Sequence, residues 1–495
     1  MSHPAVPLPP DELLVAGEWR RGTGAASETV DPADGSVITA IHHATADDVD
    51  EAVRRGAEAA AAPTWRDLLP HERARHLHRI ADGIDREADR LAHLQTRDTG
   101  KTLRETSALV ASAAGTFRYV AGALETFDGE LTTQRGPSLT MSVHEPIGVV
   151  GAIVPWNSPV ASDAQKIAPA LAAGNAVVLK PAEWTPLVSL ALGRIITDSG
   201  LPAGLLSVLP GAGSVVGEAI VTHPGVGKVS FTGGTSTGRR IAHAAAEKLM
   251  PVSLELGGKS PTVVFEDADI DEAVNGILFG IFSSSGQSCI AGSRLFVADA
   301  LREEFVERLV ARAQALRVGH GLDPQTQVAP LVHHRHRDSV ASHVERALAE
   351  GGRVLTGGQA PRGSAYDRGA YYLPTILDGL PNSAAACQEE IFGPVLTVLS
   401  FKDEDDLVAQ ANDSVFGLAC GLWTRDYRTA WRVARRIDAG TVWVNTYKQF
   451  SSSTPFGGMK ASGLGREKGR GWIAAYARQK SVYWGLSDEP HPWAG

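Results

Sequence analysis

Cys289 sits in the stretch SSSGQSCIAGSR (283–294), among small residues that leave backbone N–H groups free to turn toward whatever its sulfur attacks. A thiol acts as a nucleophile only as the thiolate, activated by a base, a cation or a helix N-terminus. No such neighbour is visible in the sequence, so Cys289 taken alone is either a nucleophile or an inert buried thiol. Glu255, in LELGGKSP (254–261), ends an apolar run beside two glycines, where a backbone or ligand can approach closely. By itself it is a general base or simply a solvated carboxylate. Asn157, in VPWNSP (154–159), follows another apolar run. Its amide could donate to a ligand or close a turn beside proline.

A second group of residues has the types that hold a nucleotide. NAVVLKPAE (175–183) places Lys180 and Glu183 after a strand-like run, and an acidic residue there can bond a ribose hydroxyl pair. FTGGTSTG (231–238) runs from an apolar segment through a Gly-rich turn into RRIAHAAAEKL, a geometry whose free N–H groups and helix dipole favour a pyrophosphate. It is neither GxGxxG nor a P-loop. QEEIFGPV (388–395) offers Glu390 and Phe392 before Gly-Pro, and STPFGGMKASGLGREKG (453–469) is too apolar for a plain linker.

These residues need elements to position them. Thr45 reads as the N-cap of a helix over VDEAVRRGAEAAAA, and residues 70–101 read as one helix, with Leu77, Ile80, Ile84, Ala88, Leu91 and Leu94 on one face. A further helix is expected over about 101–126, then hairpin-like structure in GELTTQRGPSLTMSVHEP. From residue 147, IGVVGAIV, NAVVLK, LLSVLP, KVSFTG and VSLEL alternate with helix-length segments, the pattern of a doubly wound parallel sheet. Ligands of such sheets sit at the carboxyl ends of the strands. PTVVF, SRLFV, RVLTGG, PVLTVLS, LACGLWT and TVWVN repeat the pattern after residue 258, which predicts a second α/β unit. SVYWGL (481–486) alternates like one more strand and could pair with 131–144 in a small separate sheet.

Bulk properties narrow the class. A length of 495 residues calls for more than one core, and a formal charge of −9 offers no basic stripe for nucleic acid. Three cysteines do not build a disulfide framework, no secretory signal is read at the N-terminus, and IGVVGAIVPW is too short to span a bilayer. The expectation is a cytoplasmic enzyme with no membrane or nucleic-acid partner and no metal.

In this order, PWN, KPAE, FTGGTSTG, LELGGK, GQSCIAGSR, EEIFGP and PFGG resemble the aldehyde dehydrogenase superfamily over essentially the whole chain. The resemblance implies an NAD-binding domain of residues 1–124 and 147–257, a catalytic domain of 258–461, and an oligomerisation domain of 125–146 and 475–495. It implies Cys289 as nucleophile, Asn157 and the Cys289 N–H as oxyanion donors, and Glu255 as the base that activates water. The cofactor would be held by Trp156, Lys180, Glu183, Gly213, Gly233, Gly234, Thr235, Ser236, Gly238, Leu256, Glu390 and Phe392. A homodimer or homotetramer is implied as well.

Two departures bear on specificity. Gly234 stands where the family usually has serine, which removes a hydroxyl from the phosphate site. Glu183 should repel a 2′-phosphate, so NAD is expected over NADP. Along the aldehyde path, Ser158, Ala161, Ser162, Gln165 and Ser283 replace bulkier groups, with Phe450 and Phe456 as apolar contacts and Lys448 adding a charge. A wide, partly polar tunnel follows, suited to a bulky, aromatic, cyclic or hydroxylated aldehyde. The competing readings are a CoA-acylating semialdehyde dehydrogenase, a thiol hydrolase and a non-catalytic descendant. The first usually lacks a glutamate at the water-activating position, the second needs a histidine partner, and the third would be expected to have lost one of Cys289, Glu255 and Asn157.

Overall fold

Strands buried on both faces read as unbroken apolar runs, and the two sets of such runs form two parallel sheets. The computed structural model describes residues 7–134, 136–488 and 493; the remainder of the expected 475–495 segment and the first six residues lie outside them. The first sheet contains β1 (Leu13–Val15), β2 (Glu18–Arg20), β3 (Val149–Ile153), β4 (Ala176–Lys180), β5 (Leu206–Val208), β6 (Lys228–Thr232) and β7 (Val252–Glu255). Its order is β2-β1-β5-β4-β3-β6-β7, parallel from β5 to β7. Chain order reverses between β3 and β6, which opens a crevice beyond their carboxyl ends.

The second sheet contains β8 (Pro261–Val264), β9 (Arg294–Ala298), β10 (Arg353–Thr356), β11 (Thr375–Asp378), β12 (Val395–Phe401), β13 (Ala419–Trp423) and β14 (Thr441–Val444). Its order is β10-β11-β12-β9-β8-β13-β14, and only β10 runs antiparallel to its neighbour. β11 was not among the expected strands: TILD is short and follows a proline, so its apolar signal is weak. A third sheet pairs Ala477–Gly485 with Ser138–Pro146, and that strand with Glu130–Leu131, as the alternation in SVYWGL predicts.

The helices follow their caps. Thr45 Oγ1 accepts the Asp48 N–H while Asp48 accepts the Thr45 N–H, fixing the start of Ala46–Ala61. Thr102 and Glu105 do the same for Leu103–Leu124. The single helix expected over 70–101 is two, Pro70–Arg86 and Ala88–Thr99, broken at Glu87. The apolar spacing runs across the break because both pieces bury the same stripe in one core, so periodicity alone gives no sign of it.

The chain after the second sheet returns to the first. Gly463–Leu464 pairs antiparallel with β7, and Trp472, Ile473 and Tyr476 lie in the first core, a return not foreseen in the sequence. A buried ion pair fastens it: Lys166 Nζ, on the helix Pro159–Ala172, meets Glu467 Oε1 at 2.7 Å and also donates to Ser230 at 3.0 Å. No helix among the described residues is long and apolar enough to cross a membrane. Removing one member of a buried pair strands the other charge, so Lys166→Ala should lower unfolding stability by about 3–5 kcal/mol. Urea denaturation against wild type checks this.

Candidate active site

A cavity of about 710 Å³ occupies the crevice between β3 and β6 and reaches Cys289. Asn157, Glu255 and Cys289, drawn from three distant stretches, all line it. So do Trp156, Lys180, Glu183, Gly213, Gly233, Gly234, Leu256, Glu390 and Phe392. Thr235, Ser236 and Gly238 do not. Thr235 Oγ1 instead accepts the Gly257 N–H at 3.3 Å, Ser236 is exposed on the helix, and Gly238 packs against Leu256 where a Cβ would collide. Ser214, Thr237 and Arg240 complete the wall and were not singled out in the sequence. Thr237 and Arg240 fall on the first turns of the helix after the Gly-rich turn, a placement that could have found them.

Cys289 lies in the loop entering β9, behind a strained turn. Ser284 (φ 56°), Ser285 (φ 54°) and Gly286 (φ 72°) are consecutive left-handed residues. Non-glycine residues there cost of order 1–3 kcal/mol each and persist only when their surroundings hold them. The Ser284 N–H donates to Glu105 at 2.6 Å, Ser285 Oγ donates to the Ala329 carbonyl at 2.6 Å, and Gln287 accepts the Val332 N–H at 2.8 Å. Gly286 meets the Gly393 carbonyl of the EEIFGP loop, and a Cβ on Gly258 would stand 2.5 Å from the Cys289 carbonyl oxygen. The glycines beside Glu255 are therefore where the two sheets' loops touch.

Electrostatics set the resting state. Burial, with Glu390 and Glu255 nearby, pushes the Cys289 thiol up to about 12, although the N–H groups of Cys289 and Ile290 turn toward the sulfur and oppose this. The protonated thiol is therefore the favoured form of Cys289. Glu255 is 5% exposed, its Oε2 has no hydrogen-bond partner, and burial and the Glu467 charge hold its pKa well above the carboxylate range. Gly457 of the PFGG loop lies against it, and a Cβ there would come 2.8 Å from Glu255 Oε1. Asn157 Nδ2 donates to the Gln287 carbonyl at 2.9 Å, leaving its second N–H available.

The cavity's other polar groups suit a dinucleotide. Lys180 and the exposed Glu183 stand beyond β4, with burial bringing the Lys180 ammonium down to about 8. Gly234 precedes the helix Thr235–Ala246 without a side-chain cap, so backbone N–H groups alone face an incoming phosphate. Glu390 accepts the Gly258 N–H at 3.0 Å, and burial raises it to about 7. Trp156 meets the ring of Phe392 edge-on at 5.1 Å.

The aldehyde dehydrogenase family model matches residues 19–482. The chain belongs to the aldehyde dehydrogenase family. A putative aldehyde dehydrogenase from Burkholderia cenocepacia is 43% identical, covering 97% of this chain and 99% of its own, with a TM-score of 0.95. A mutant aldehyde dehydrogenase from Bacillus cereus is 36% identical over 96% of each chain, TM-score 0.94. The betaine aldehyde dehydrogenase of Staphylococcus aureus in complex with NAD+ is 35% identical, covering 98% of this chain and 96% of that one, TM-score 0.96.

The positions expected along the substrate path of this aldehyde dehydrogenase lie outside the cavity wall. Ser158 caps the helix carrying Ala161, Ser162 and Gln165, the first three of these half-buried or buried and Gln165 half-buried. Ser283 Oγ donates to the Phe279 carbonyl at 2.6 Å and accepts from Lys448 Nζ at 2.7 Å. Phe450 and Phe456 meet edge-on at 5.5 Å. Because Glu105 holds the strained turn and caps its own helix, Glu105→Ala should slow alkylation of Cys289 and lower activity by about tenfold through the charged hydrogen bonds it loses. Glu105→Gln keeps an acceptor and should fall between. Thiol labelling reports Cys289 selectively, since Cys387 and Cys420 are buried.

Proposed function

We propose that this enzyme oxidises an aldehyde to its carboxylic acid through covalent intermediates on Cys289, with NAD as the oxidant. The observation that carries the reading is that Cys289, Glu255 and Asn157 face one cavity in the crevice between β3 and β6, whose other lining residues include Lys180, Glu183 and Glu390. The NAD+ bound by the Staphylococcus aureus relative supports the cofactor.

Cys289 Sγ adds to the aldehyde carbonyl, giving a thiohemiacetal. The second N–H of Asn157 and the Cys289 backbone N–H stabilise the oxygen as it gains charge. Bound NAD supplies the hydride acceptor. Loss of hydride leaves a thioester on Cys289, which water cleaves. Glu255, when ionised, takes the water's proton, and its carboxylate also offers the thiol a base on the way in. The raised thiol and carboxyl pKa values favour the protonated forms of Cys289 and Glu255, so the thiolate forms as the pH rises or as a base takes its proton. Lys180 and Glu183 would hold one ribose of the cofactor and Glu390 the other. The free carboxylate of Glu183 disfavours a 2′-phosphate, which supports NAD over NADP.

Small residues at Ser158, Ala161 and Ser162 favour a bulky or polar aldehyde over a short alkanal. The three-stranded sheet exposes Tyr483 (73%) and Trp484 (64%), which supports self-association as a dimer or tetramer.

With NAD and a benzaldehyde-sized substrate, Glu255→Gln should still give a burst of NADH absorbance while steady turnover falls by about 10²–10⁴. Wild-type turnover should rise with pH along a limb above the ordinary carboxylate range, because the base works only when deprotonated, and the variant should lack that limb. Acyl-CoA formed on adding CoA would instead indicate the acylating reaction. Asn157→Ala should cost about 10²–10³ in kcat. Glu183→Ala should raise the NADP to NAD ratio of kcat/KM by about tenfold through loss of like-charge repulsion.

A further inference from the structure

Lys448 and Lys468 both feel a charge on Cys289 and lie outside the residues that line the cofactor cavity, and Lys101 adjoins Lys448. Lys448 donates to Ser283 at 2.7 Å and stands 5.7 Å from the ring centroid of Phe279. Lys468 lies over Phe450 at 4.3 Å and Phe456 at 5.7 Å, the two aromatic residues expected along the aldehyde path. Lys101 is 3% exposed at the start of the Leu103–Leu124 helix, and Lys468 is 9% exposed. Among the described residues, none of the three forms an ion pair within 4.0 Å, which is unusual for the buried Lys101 and Lys468; Lys448 is half-buried.

Of the neighbouring carboxylates, Glu105 and Glu467 are already engaged, while Glu255, which also acts on Lys468, has its pKa held well above the carboxylate range. Glu105, which Lys101 and Lys448 both feel, gives Oε1 to the Ser284 N–H at 2.6 Å and Oε2 to the Thr102 N–H and hydroxyl at 3.1 and 2.9 Å. Glu467, beside Lys468, is held by Lys166 at 2.7 Å. Burial and the adjacent Lys101 bring Lys448 down to about 7, while a charge on Cys289 favours its protonated form. A set of buried and half-buried ammonium groups without an ion pair, beside an aromatic wall, is completed by an anion.

We propose that the aldehyde accepted by this enzyme carries a carboxylate, held by Lys448 and Lys468 with Lys101 behind them, its apolar body lying against Phe450 and Phe456. The proposal rests on the aldehyde oxidation inferred above and narrows its substrate. A carboxylate entering here restores the charge that the lysines lack, and Ser283 orients Lys448 toward it. These lysines select the substrate; the bond-making atoms remain those of Cys289.

The test compares kcat/KM of the full enzyme with NAD for para-formylbenzoate and its neutral amide, para-formylbenzamide, and for an aliphatic formyl-carboxylate and its amide. The wild type should prefer the anion by about 10- to 100-fold in at least one pair, the range of a charged hydrogen bond. Lys448→Met and Lys468→Met should each reduce that ratio, and Lys448→Arg should retain most of it, which a merely structural role would not predict. Binding of terephthalate over terephthalamide to Cys289→Ala protein, measured by calorimetry, should show the same preference without turnover. Equal or better use of the amides by wild type overturns the proposal while leaving aldehyde oxidation intact. A ratio that survives both Met variants overturns the assignment to these lysines. Failure to oxidise any of the four overturns both readings.

Discussion

The buried pair between Lys166 and Glu467 sets the charge environment of Glu255. Glu467 lies close enough to Glu255 to raise its proton affinity, and Lys166, with Arg466 and Lys468, supplies the opposing charge. The same residue is held through its backbone, exchanging N–H···O bonds with Phe456 at 2.8 Å in both directions. Glu467 therefore joins three things: the helix under the first sheet, the wall beside the aldehyde, and the protonation state of the base. The pair's worth is positional, since buried ion pairs contribute little net stability yet are costly to break.

A related economy governs the nucleophile. A thiol in a dry, carboxylate-lined pocket is a poor nucleophile, and this chain keeps it so at rest. Reactivity then depends on geometry imposed from outside the cysteine loop. Glu105, Ala329 and Val332 grip the left-handed turn from one side, and the Gly286–Gly393 and Gly258–Cys289 approaches close it from others. Catalytic placement thus comes from residues on both sheets, and neither sheet's loops suffice alone.

The sequence made the parallel strands legible because residues such as Val149–Ile153 and Arg294–Ala298 are buried on both faces and read as continuous apolar runs. Glu255 and Asn157 were legible because they follow such runs, where an open sheet keeps its ligands. The order of the motifs, more than any one of them, pointed to the family. Other features had no local signature. Lys166 and Glu467 are 301 residues apart, and a lysine within SDAQKIAPAL looks like a solvated residue on an ordinary helix. The break at Glu87 leaves the apolar spacing intact, and the return of Gly463–Leu464 to the first sheet is two residues long. Lys101 and Lys468 gained meaning only when folding buried them without an ion pair within 4.0 Å among the described residues.

Ser284, Ser285, Phe392, Lys448 and Lys468 share one backbone property, a positive φ of 54° to 61°. A branched Cβ fits poorly in that region, whereas glycine, asparagine or an unbranched chain can enter it. The positions that bear on the substrate are therefore not equally open to change. Exchange of Lys448 or Lys468 for valine, isoleucine or threonine would strain the main chain as well as alter the side chain. Descendants that turn to a different aldehyde are steered toward a narrow alphabet at these two sites, and toward the helical positions Ser158, Ala161 and Ser162 where the backbone imposes no such restriction.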